Sequence, residues 1–556
     1  MWGNRTRTLL LAMLLLAAAA GCERNSPALP PADDADLRPV PEQRQDPFHR
    51  YDPPVEATTV RAIDQNINFA EGDTLEDNIW TRIFEDEYGI RIRNVWTVNA
   101  LQYDQKLNIS IAAGELPDFA RVNKETMQLL HETGQLADLT EIIATQASPY
   151  LARLLQQDQG VSLRAATYDG KVWGLPSMMV NGGVSTSEML WIRTDWLEKL
   201  ELPEPRTIDD VIRIASAFAH DDPDGNGLDD TIGLGVNNEL FMYHGSLKGF
   251  FNGFGAYPEI WLERDDGTLV YGSIQEEMRV ALLKLSEMYA AGLLDAEFPL
   301  SPWTKVAEEI ADGRLGMAYG TVSDGGVIQR ESVRSDPDAA WRAYPIVSLS
   351  GEAVHPQLQD AASNFYVVRK DSPHPELVVK LANIYLRHYY EMDYRPDPNP
   401  FISGPHGIDP GKYPAVLVHP LDVNLQAFRE VQEALRTGNG DELGFPSRVH
   451  YGRLKDYEAG NREMWFSTAV FGAAGSYAVI DQYDQAQLGR YDAYQGAATA
   501  TMAEKLAALK RMQDDTFIQI IMGEKPIEEF DRFVSDWKRL GGDKITQEVN
   551  DRNVTT

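Results

Sequence analysis

The chain has a single cysteine, Cys22, which stands just after its longest apolar run, residues 9–20. Arg5 and Arg7 precede this run. A basic start, a short apolar stretch and small residues at the cleavage point are typical of a secretory signal, and about a dozen apolar residues are too few to span a bilayer as a mature helix. We therefore expect residues 1–21 to be a signal peptide. Because no cysteine follows, internal disulfides are excluded, and stability must come from packing and from any bound metal.

The residues at the expected cleavage point are Ala19, Ala20, Gly21 and Cys22. They resemble the lipobox of bacterial lipoproteins, in which the cysteine sulfur is lipidated and becomes the new N-terminus. Ala19 stands where leucine is usual. The resemblance implies lipidation at Cys22, and a two-chain anchor would give durable attachment to the membrane. The alternative is a plain signal peptide that contains a cysteine.

Residues 22–57 have the composition of a tether. Eight prolines lie between Pro27 and Pro54, interleaved with acidic residues and with almost no apolar periodicity. Such a segment cannot bury enough surface to offset the entropy of ordering. We expect a lipid-anchored, disordered tether that holds the folded body away from the lipid.

The body that follows has a globular composition, since the whole chain is 43% hydrophobic and 10% aromatic. Roughly 500 residues are too many to fold around one hydrophobic core, and this length predicts two large lobes. The formal net charge is −33, which argues against nucleic acid and against electrostatic attraction to anionic lipid. No second apolar run is long enough to cross a membrane.

β-rich runs alternate with helical periodicity at the start of the body. Strands are predicted at 58–69 and 89–98, helices at 78–88 and 103–113, and a short strand follows residues 116–119. This β-α-β-α-β order predicts a parallel sheet with helices on its faces, and thus an α/β fold.

A crossing between the lobes is predicted where a flexible stretch separates two strand-like segments. Residues 181–187 are rich in Gly, Ser and Thr, and they follow the strand-like segment 168–176. We place the first hinge at 181–188, and the strand predicted at 365–368 returns the chain to the first lobe. The predicted lobes are 58–185 plus 364–440 and 186–363 plus 441–556.

An acidic loop at 222–230 follows a helix predicted at 208–220. The loop places oxygen donors at positions 1, 3, 5 and 9 of the pattern that Ca²⁺ prefers, a glycine at position 6 and a backbone carbonyl at position 7. The predicted ligands are Asp222, Asp224, Asn226, the Leu228 carbonyl and Asp230. Gly233 replaces the usual glutamate at position 12, which predicts a structural site rather than a regulatory helix-loop-helix hand. The alternative is a polar turn without an ion.

Short motifs spread over the chain, including this loop, occur together at 114–118, 168–176, 190–197, 222–230, 271–274, 291–295, 520–526 and 537–543. Together they resemble the family 1 extracellular solute-binding lipoproteins. The resemblance is greatest to large LplA-like members, which are related to alginate-oligosaccharide-binding proteins. It implies a periplasmic-binding-protein-like architecture of two α/β lobes joined by a hinge, with the ligand cleft between them. It further implies an oligosaccharide ligand and the permease of an ABC importer as partner. The protein would be a monomer anchored at the extracellular face of a Gram-positive membrane.

Binding sites for sugars combine aromatic rings, which cover flat CH faces, with hydrogen-bonding side chains. From their position relative to predicted strand ends, hinge and loops, we select as stacking residues Trp80, Tyr257, Trp303, Tyr319 and Trp465. The polar candidates are Asp118, Asn181 and Arg193. The competing interpretation is core packing for the aromatic residues, a structural hydrogen bond for Asp118 and Arg193, and a turn residue for Asn181.

Two other classes compete with a transport protein. A polysaccharide-degrading enzyme needs two carboxylates that flank a glycosidic bond, and among 84 acidic residues a chance pair is easily found. The sequence lacks the His-Glu-x-x-His, Gly-x-Ser-x-Gly and Gly-x-x-x-x-Gly-Lys-Ser/Thr patterns, so we predict no enzyme and no catalytic residues. A surface sensor or adhesion module needs the same cleft as an importer subunit, and the sequence does not separate the two.

Overall fold

The computed structural model describes residues 45–63, 67–391, 400–401, 410–444 and 446–553. The expected signal peptide, the lipidation site Cys22 and the first part of the tether lie outside these residues. Within the described ranges, no helix combines the length and the apolar character that a bilayer crossing requires.

The strands and helices of the described residues alternate along most of the chain. The strands are β1 (Val55–Ile63), β2 (Ile90–Asn99), β3 (Phe119–Asn123), β4 (Thr167–Tyr168), β5 (Lys171–Val172), β6 (Leu175–Pro176), β7 (Met189–Arg193), β8 (Trp261–Glu263), β9 (Leu269–Tyr271), β10 (Met317–Gly320), β11 (Trp341–Tyr344) and β12 (Asn364–Val368). The helices of the first half are α1 (Ile79–Tyr88), α2 (Ala100–Ala112), α3 (Lys124–Glu132), α4 (Thr140–Gln146), α5 (Pro149–Leu154), α6 (Val161–Ala165), α7 (Thr194–Lys199), α8 (Ile208–His220), α9 (Lys248–Gly253) and α10 (Glu276–Ala290). Those of the second half are α11 (Trp303–Ala311), α12 (Asp324–Val327), α13 (Gln329–Ser335), α14 (Leu377–Tyr389), α15 (Val423–Thr437), α16 (Ser447–Glu458), α17 (Trp465–Phe471), α18 (Ser476–Gln485), α19 (Ala500–Ile521), α20 (Glu529–Trp537) and α21 (Asp543–Asn553).

Local sequence signals set the ends of several helices. The Asn78 side chain accepts hydrogen bonds from the backbone N–H groups of Trp80 and Thr81, so helix α1 begins there. The helix ends at Gly89, whose φ of 65° is the left-handed conformation that glycine adopts without strain. Thr207 and Asp210 form the capping box predicted at the start of α8. These predicted boundaries are confirmed.

The first lobe is built on the pair β1–β2 and a three-stranded sheet, with β4 and β5 as a further short antiparallel pair. Strands β1 and β2 are parallel, with Val55 opposite Ile90, as the alternation of strands and helices predicted. Strand β3 instead pairs antiparallel with β12, which also pairs with β6. The predicted first strand is wrong at both ends, because β1 starts at Val55 and stops at Ile63.

The second lobe contains an antiparallel sheet of β7 flanked by β10 and β11. Strand β7 is buried along its whole length. Helices cover it, and the buried apolar side chains of α8, α10 and α19 belong to the largest hydrophobic cluster of the described residues. This lobe therefore has the expected mixed α/β composition.

Separate hydrophobic clusters define the two lobes, and the chain passes between them three times. The crossings fall between Met178 and Met189, between Val354 and Ala361, and between Leu421 and Leu425. The first crossing contains the predicted hinge at 181–188. Helix α15, which we expected in the first lobe, packs with the second, because its apolar face joins the cluster that contains Trp191.

The end of the expected tether is folded rather than disordered. Phe48 and Tyr51 pack against the core of the first lobe, and β1 begins at Val55. The Tyr51 hydroxyl donates a hydrogen bond to Glu376 at 2.8 Å. The composition of residues 22–57 did not indicate that these aromatic side chains pack against the first lobe. The predicted boundary between tether and folded body, at residue 57, therefore lies too far along the chain.

Candidate functional site

A cavity of about 380 Å³, which we call the hinge cavity, lies where the crossings meet. Residues of all three crossings border it: Ser185 and Thr186 of the first, Gln359 of the second and Asn424 of the third. The remaining lining residues are Asn181, Thr321, Val322, Ser323, His450, Phe466, Val470, Phe471 and Tyr477. A molecule bound here would therefore contact the segments that change when the lobes move relative to each other.

Hydrogen bonds join the crossings at the edge of the hinge cavity. The Thr186 hydroxyl accepts from the backbone N–H of Gln359 at 2.9 Å and donates to the Gly183 carbonyl at 2.7 Å. The Asn181 Oδ1 accepts from the backbone N–H of Asn424 at 3.3 Å. Asn181 has a φ of 58°, a conformation that asparagine tolerates better than most residues. These contacts link the position of the first crossing to the second and to the third.

Aromatic rings stack along one wall of the hinge cavity. The ring of His450 lies 3.6 Å from that of Phe471, centroid to centroid, and Phe471 lies 5.3 Å from Tyr477. Burial lowers the pKa of His450 to about 4, so the imidazole is neutral near pH 7. Its Nδ1 is buried and has no hydrogen-bond partner in the described part of the chain. Neutral rings beside amide and hydroxyl groups suit an uncharged ligand that carries many hydroxyl groups.

A buried polar group lies behind the cavity in the second lobe. Glu188, at the end of the first crossing, accepts a hydrogen bond from the Gly249 N–H at 2.8 Å. Burial raises the pKa of this carboxyl group. The hydroxyl of Tyr319 is buried and has no partner among the described residues. Tyr319, a predicted stacking residue, thus lies in the core of the second lobe beneath the cavity.

Two exposed aromatic rings of the second lobe, Tyr243 and Trp303, lie near each other, and we call them the rim pair. Their side chains are 54% and 38% exposed, and their ring centroids are 6.1 Å apart. The loop that carries Tyr243 is held by Asn237, which donates to the carbonyls of Met242 and His244. Gly245 donates to the Tyr319 carbonyl at 3.0 Å, which fixes the loop beside β10. The end of β10 leads directly to Thr321 in the cavity wall.

The rim pair contains one predicted residue, Trp303, and one that the sequence did not reveal. Tyr243 has a φ of 61°, which is unusual for a bulky residue. Non-glycine residues in this conformation are concentrated at binding and catalytic sites, where the surrounding structure compensates the strain. No sequence pattern predicts such a backbone angle, so Tyr243 could be found only in the folded chain.

The other predicted aromatic residues have structural contacts. Trp80 is fully buried in the first lobe, and its Nε1 donates to the Pro410 carbonyl at 2.8 Å. Trp465 is buried beside the cavity wall and donates to the Gly325 carbonyl at 2.8 Å. Tyr257 is buried beneath the guanidinium group of Arg490, 4.5 Å from its ring. The structure thus places these three rings in core packing.

The three polar candidates differ in whether they line the hinge cavity. Asp118 is buried and accepts hydrogen bonds from the Thr58 hydroxyl at 2.6 Å and from Arg369 at 2.8 Å. Arg193 is buried and forms ion pairs with Asp195 at 2.5 Å and Asp336 at 2.8 Å. Both residues hold elements of a single lobe together. Asn181 alone of the three lines the hinge cavity.

The acidic loop at 222–230 has the donors that a calcium ion needs. The Asn226 amide donates to Asp224 at 2.7 Å and to Asp230 at 3.1 Å. Asp222 Oδ1 is buried and lacks a partner among the described residues. Burial, together with the neighbouring carboxylates of Asp222 and Asp230, raises the pKa of Asp224.

The donors of this loop are compatible with a metal ion, but they do not form a preassembled metal site. In the described ranges, no three His, Cys, Asp or Glu side chains are grouped closely enough to form a ready site. Lys199 donates to the carbonyls of Asp222 and Pro223 and thus lies beside the loop. The partnerless oxygen of Asp222 and the oxygen-rich donor set nevertheless fit a hard divalent cation.

Two α/β lobes joined by three crossings, with a cavity where the crossings meet, are the architecture of solute-binding proteins of the periplasmic-binding-protein type. The family model for bacterial extracellular solute-binding proteins matches residues 66–388. This match covers more than half of the chain, so the chain belongs to that family.

Curated relatives of this chain include two proteins of Bacillus subtilis. The polygalacturonan/rhamnogalacturonan-binding protein YtcQ is 22% identical over 478 residues, which cover 82% of this chain and 84% of YtcQ. Lipoprotein LipO is 24% identical over 486 residues, which cover 84% of this chain and 87% of LipO.

Solved structures with similar folds include the HMO-binding, ABC-transporter-associated solute-binding protein of Bifidobacterium longum infantis. It has a TM-score of 0.59 and 15% identity, and the match covers 90% of this chain and 99% of that protein. The alginate-binding protein AlgQ2 has a TM-score of 0.52 and 14% identity, over 92% of this chain and all of AlgQ2. These likenesses confirm the two-lobed fold.

Proposed function

We propose that the protein is the substrate-binding subunit of an ABC importer and that it binds an oligosaccharide in the hinge cavity. The observation that carries this proposal is the position of the cavity, because residues of all three crossings line it. Its wall of stacked neutral rings, with the amides of Asn181, Gln359 and Asn424 nearby, suits the CH faces and hydroxyl groups of sugars. YtcQ, which binds polygalacturonan or rhamnogalacturonan, supports a polysaccharide-derived ligand.

Binding and closure are coupled through the crossings. A ligand in the hinge cavity would contact the second lobe and all three crossings, and it would favour the closed form by its difference in affinity for the closed and open forms. Thr186 and Asn181 bond to the other two crossings, so the ligand-contacting residues and the hinge move together. A permease that recognises the closed form would then accept only loaded protein. A surface sensor would use the same cavity without a permease and is the alternative.

The rim pair would extend the site beyond the hinge cavity. A chain of sugar units longer than the cavity would leave through its mouth, and Tyr243 and Trp303 would offer it an exposed aromatic platform on the second lobe. Stacking on such a platform needs no hydrogen-bond match, so it tolerates different sugars at that position. The protein would bind and release its ligand unchanged, without catalysis.

The N-terminal residues would place the protein at its site of action. Lipidation of Cys22 would anchor a monomer at the extracellular face of a Gram-positive membrane, beside the permease. The similarity to lipoprotein LipO supports this assignment.

The acidic loop would hold a structural calcium ion through the carboxylates of Asp222, Asp224 and Asp230, the side-chain oxygen of Asn226 and the carbonyl of Leu228. The ion would neutralise carboxylates that otherwise repel one another, and thus stabilise the second lobe. The partnerless Oδ1 of Asp222 supports this proposal.

The hinge cavity can be tested by filling it. Ser323 is exposed and lines the cavity, so Ser323→Trp would occupy ligand space without disturbing the core. Ser335→Trp, at an exposed serine of the same lobe outside the cavity, is the matched control. In calorimetric titrations with a panel of oligosaccharides, we expect Ser323→Trp to lose binding and Ser335→Trp to retain it. Equal binding by both variants would refute the site, and cleavage of the sugar would refute a binding protein without catalysis.

A further inference from the structure

Residues 490–496, which we call the bridging segment, join the second lobe to the second crossing. The backbone N–H of Leu358, in that crossing, donates to the Arg490 carbonyl at 2.8 Å. The N–H of Ala493 donates to the Trp261 carbonyl of β8 at 3.0 Å, and Ala493 packs against the second-lobe cluster. The bridging segment is therefore part of the second lobe and is tied to a segment about which the lobes move.

Gln495 of the bridging segment also contacts the first lobe. Lys124, the first residue of α3, donates to Gln495 Oε1 at 3.4 Å and to Asp360 Oδ2 at 2.9 Å. Gln495 Nε2 donates to Asp360 Oδ1 at 3.3 Å and to the Asp492 carbonyl at 2.6 Å. Helix α3 packs in the first lobe through the buried Leu130. Lys124, Asp360 and Gln495 thus form a closed set of contacts, the inter-lobe triad, between α3, the second crossing and the second lobe.

Lys124 supplies the positive charge of the inter-lobe triad. Its side chain is 14% exposed and that of Asp360 is 32% exposed, so water only partly screens the ion pair. The pKa of Asp492 rises to about 7 mainly because of burial; the Asp360 carboxylate adds to this rise, and Lys124 opposes it. Lys124 therefore lies close enough to both carboxylates to reduce the repulsion between them.

A second polar contact joins α3 to the second lobe one turn further along the helix. Gln128 Oε1 accepts a hydrogen bond from Arg552 of α21 at 3.4 Å. Because Lys124 and Gln128 are four positions apart, they lie on the same face of α3. The face that meets the second lobe thus makes polar contacts, which water can replace, so they can break and form again as the lobes move.

We propose that the inter-lobe triad is a latch that holds the two lobes together independently of any ligand in the hinge cavity. Separation of the lobes moves α3 away from the bridging segment and breaks the contact between Lys124 and Gln495. A contact that exists only in the closed form shifts the equilibrium toward that form. A ligand that needs the closed form then binds in proportion to its population, a consequence that rests on the proposed function.

Three single variants test the latch. Lys124→Met removes the ammonium group and keeps the length of the side chain, while Gln495→Leu removes the amide and keeps its approximate shape. Lys171→Met is the matched control, because Lys171 pairs with Asp138 at 3.0 Å within the first lobe. Cys22 is the only cysteine of the sequence, so in a Cys22→Ser background two introduced cysteines can be spin-labelled selectively.

The labels replace Glu87 of α1 and Glu277 of α10, both exposed, and double electron–electron resonance measures the distance between the lobes. In sugar-free buffer we expect Lys124→Met and Gln495→Leu each to raise the ratio of open to closed protein about fivefold, and Lys171→Met to leave it unchanged. If Lys124→Met does not fold, Gln495→Leu decides. An unchanged distance distribution in either folded variant, or an equal change in Lys171→Met, would overturn the latch.

A second measurement tests the consequence for ligand affinity. A panel of oligosaccharides is titrated calorimetrically into the wild-type protein, Lys124→Met and Lys171→Met. We expect a sugar that binds the wild-type protein to bind Lys124→Met more weakly, by the ratio of the two closed populations, and Lys171→Met normally. An affinity that does not follow this ratio would overturn the consequence. If no sugar binds at all, the proposed function fails, while the measured distances still decide the latch.

Discussion

The hydroxyl of Thr186 accepts a hydrogen bond from the backbone N–H of Gln359 at 2.9 Å, across 173 positions of sequence, and so joins the first crossing to the second. Both residues line the hinge cavity. The contact therefore links the wall of the proposed binding cavity to the geometry of the hinge.

The Thr186 contact predicts the effect of two substitutions. Thr186→Val keeps the shape of the side chain but removes the acceptor, so the closed form should lose about 1 kcal/mol, or roughly fivefold in oligosaccharide affinity. Thr186→Ser keeps the hydroxyl and should bind nearly as the wild-type protein does. Calorimetric titration of the three proteins checks this. Equal affinity of the valine and serine variants would show that the contact does not contribute to closure.

The rim pair predicts a stacking contribution that depends on chain length. Tyr243→Ala and Trp303→Ala should each weaken the binding of a long oligosaccharide about tenfold and leave a disaccharide unaffected, because only a long chain reaches the rim. Leu300→Ala is the control, since Leu300 is 82% exposed close to Trp303 in sequence and offers no ring. Fluorescence titrations and melting temperatures separate binding from stability. Equal losses for short and long sugars would contradict a rim platform.

For a substitution of Trp80 we expect the opposite pattern, namely a loss of stability without a loss of oligosaccharide binding. Trp80→Phe removes the hydrogen bond to the Pro410 carbonyl and leaves a gap in the first-lobe core, at a cost of about 1–3 kcal/mol. Urea unfolding should detect this change, while the oligosaccharide affinity of the folded protein stays the same. A variant that is as stable as the wild-type protein but binds the oligosaccharide more weakly would show that Trp80 contacts the ligand.

The calcium proposal predicts a melting temperature that depends on the metal. At a free calcium concentration about 100-fold above the dissociation constant, the ion would stabilise the folded protein by about 2.7 kcal/mol. Asp222→Ala should abolish this gain, and Asp209→Asn, at an exposed aspartate on nearby α8, should keep it. Differential scanning calorimetry after chelation and after calcium addition makes the comparison. An equal calcium response in both variants would exclude the loop as the site.

Asp492 predicts a pH-dependent stability. Burial raises its pKa to about 7, a shift that the N–H donors of Tyr494 and Trp261 do not cancel. An unfolded aspartate titrates near 3.9, so between about pH 4 and pH 7 the folded state keeps a proton that the unfolded state has lost. The free energy of unfolding contributed by this group should therefore fall by about 1.4 kcal/mol per pH unit over that range.

The variant Asp492→Asn isolates this effect. An asparagine Oδ1 can still accept the hydrogen bonds from Trp261 and Tyr494 but does not titrate. We expect the variant to be more stable than the wild-type protein at pH 8 and about equally stable at pH 4. Denaturant unfolding at both values gives the difference. A difference that is the same at both pH values would contradict the raised pKa.

Local signals in the sequence were sufficient for much of the fold. Asn78 and Gly89 bound helix α1, and Thr207 with Asp210 begins α8, because caps and left-handed glycines act within a few residues. The two-lobed α/β class also followed from the sequence, through length and the resemblance of its motifs. The lipidation site Cys22 and the calcium ligands remain predictions.

The candidate residues for ligand contact could be chosen only from the folded chain. Trp80 and Trp303 are both tryptophans at the start of predicted or observed helices, yet one is fully buried and the other is 38% exposed. Nothing local distinguishes them, because burial depends on which distant element covers the helix face. For the same reason helix α15 could not be assigned to the second lobe, and the cavity walls could not be listed.

The sequence by itself therefore determined the local elements, since these depend on periodicity and on residues close together in the chain, and the resemblance of its motifs indicated the class of protein. Only the tertiary structure decided which residues meet at the crossings, such as Thr186 and Gln359 at the hinge cavity. Those contacts join segments hundreds of residues apart, and their formation depends on the packing of both lobes at once.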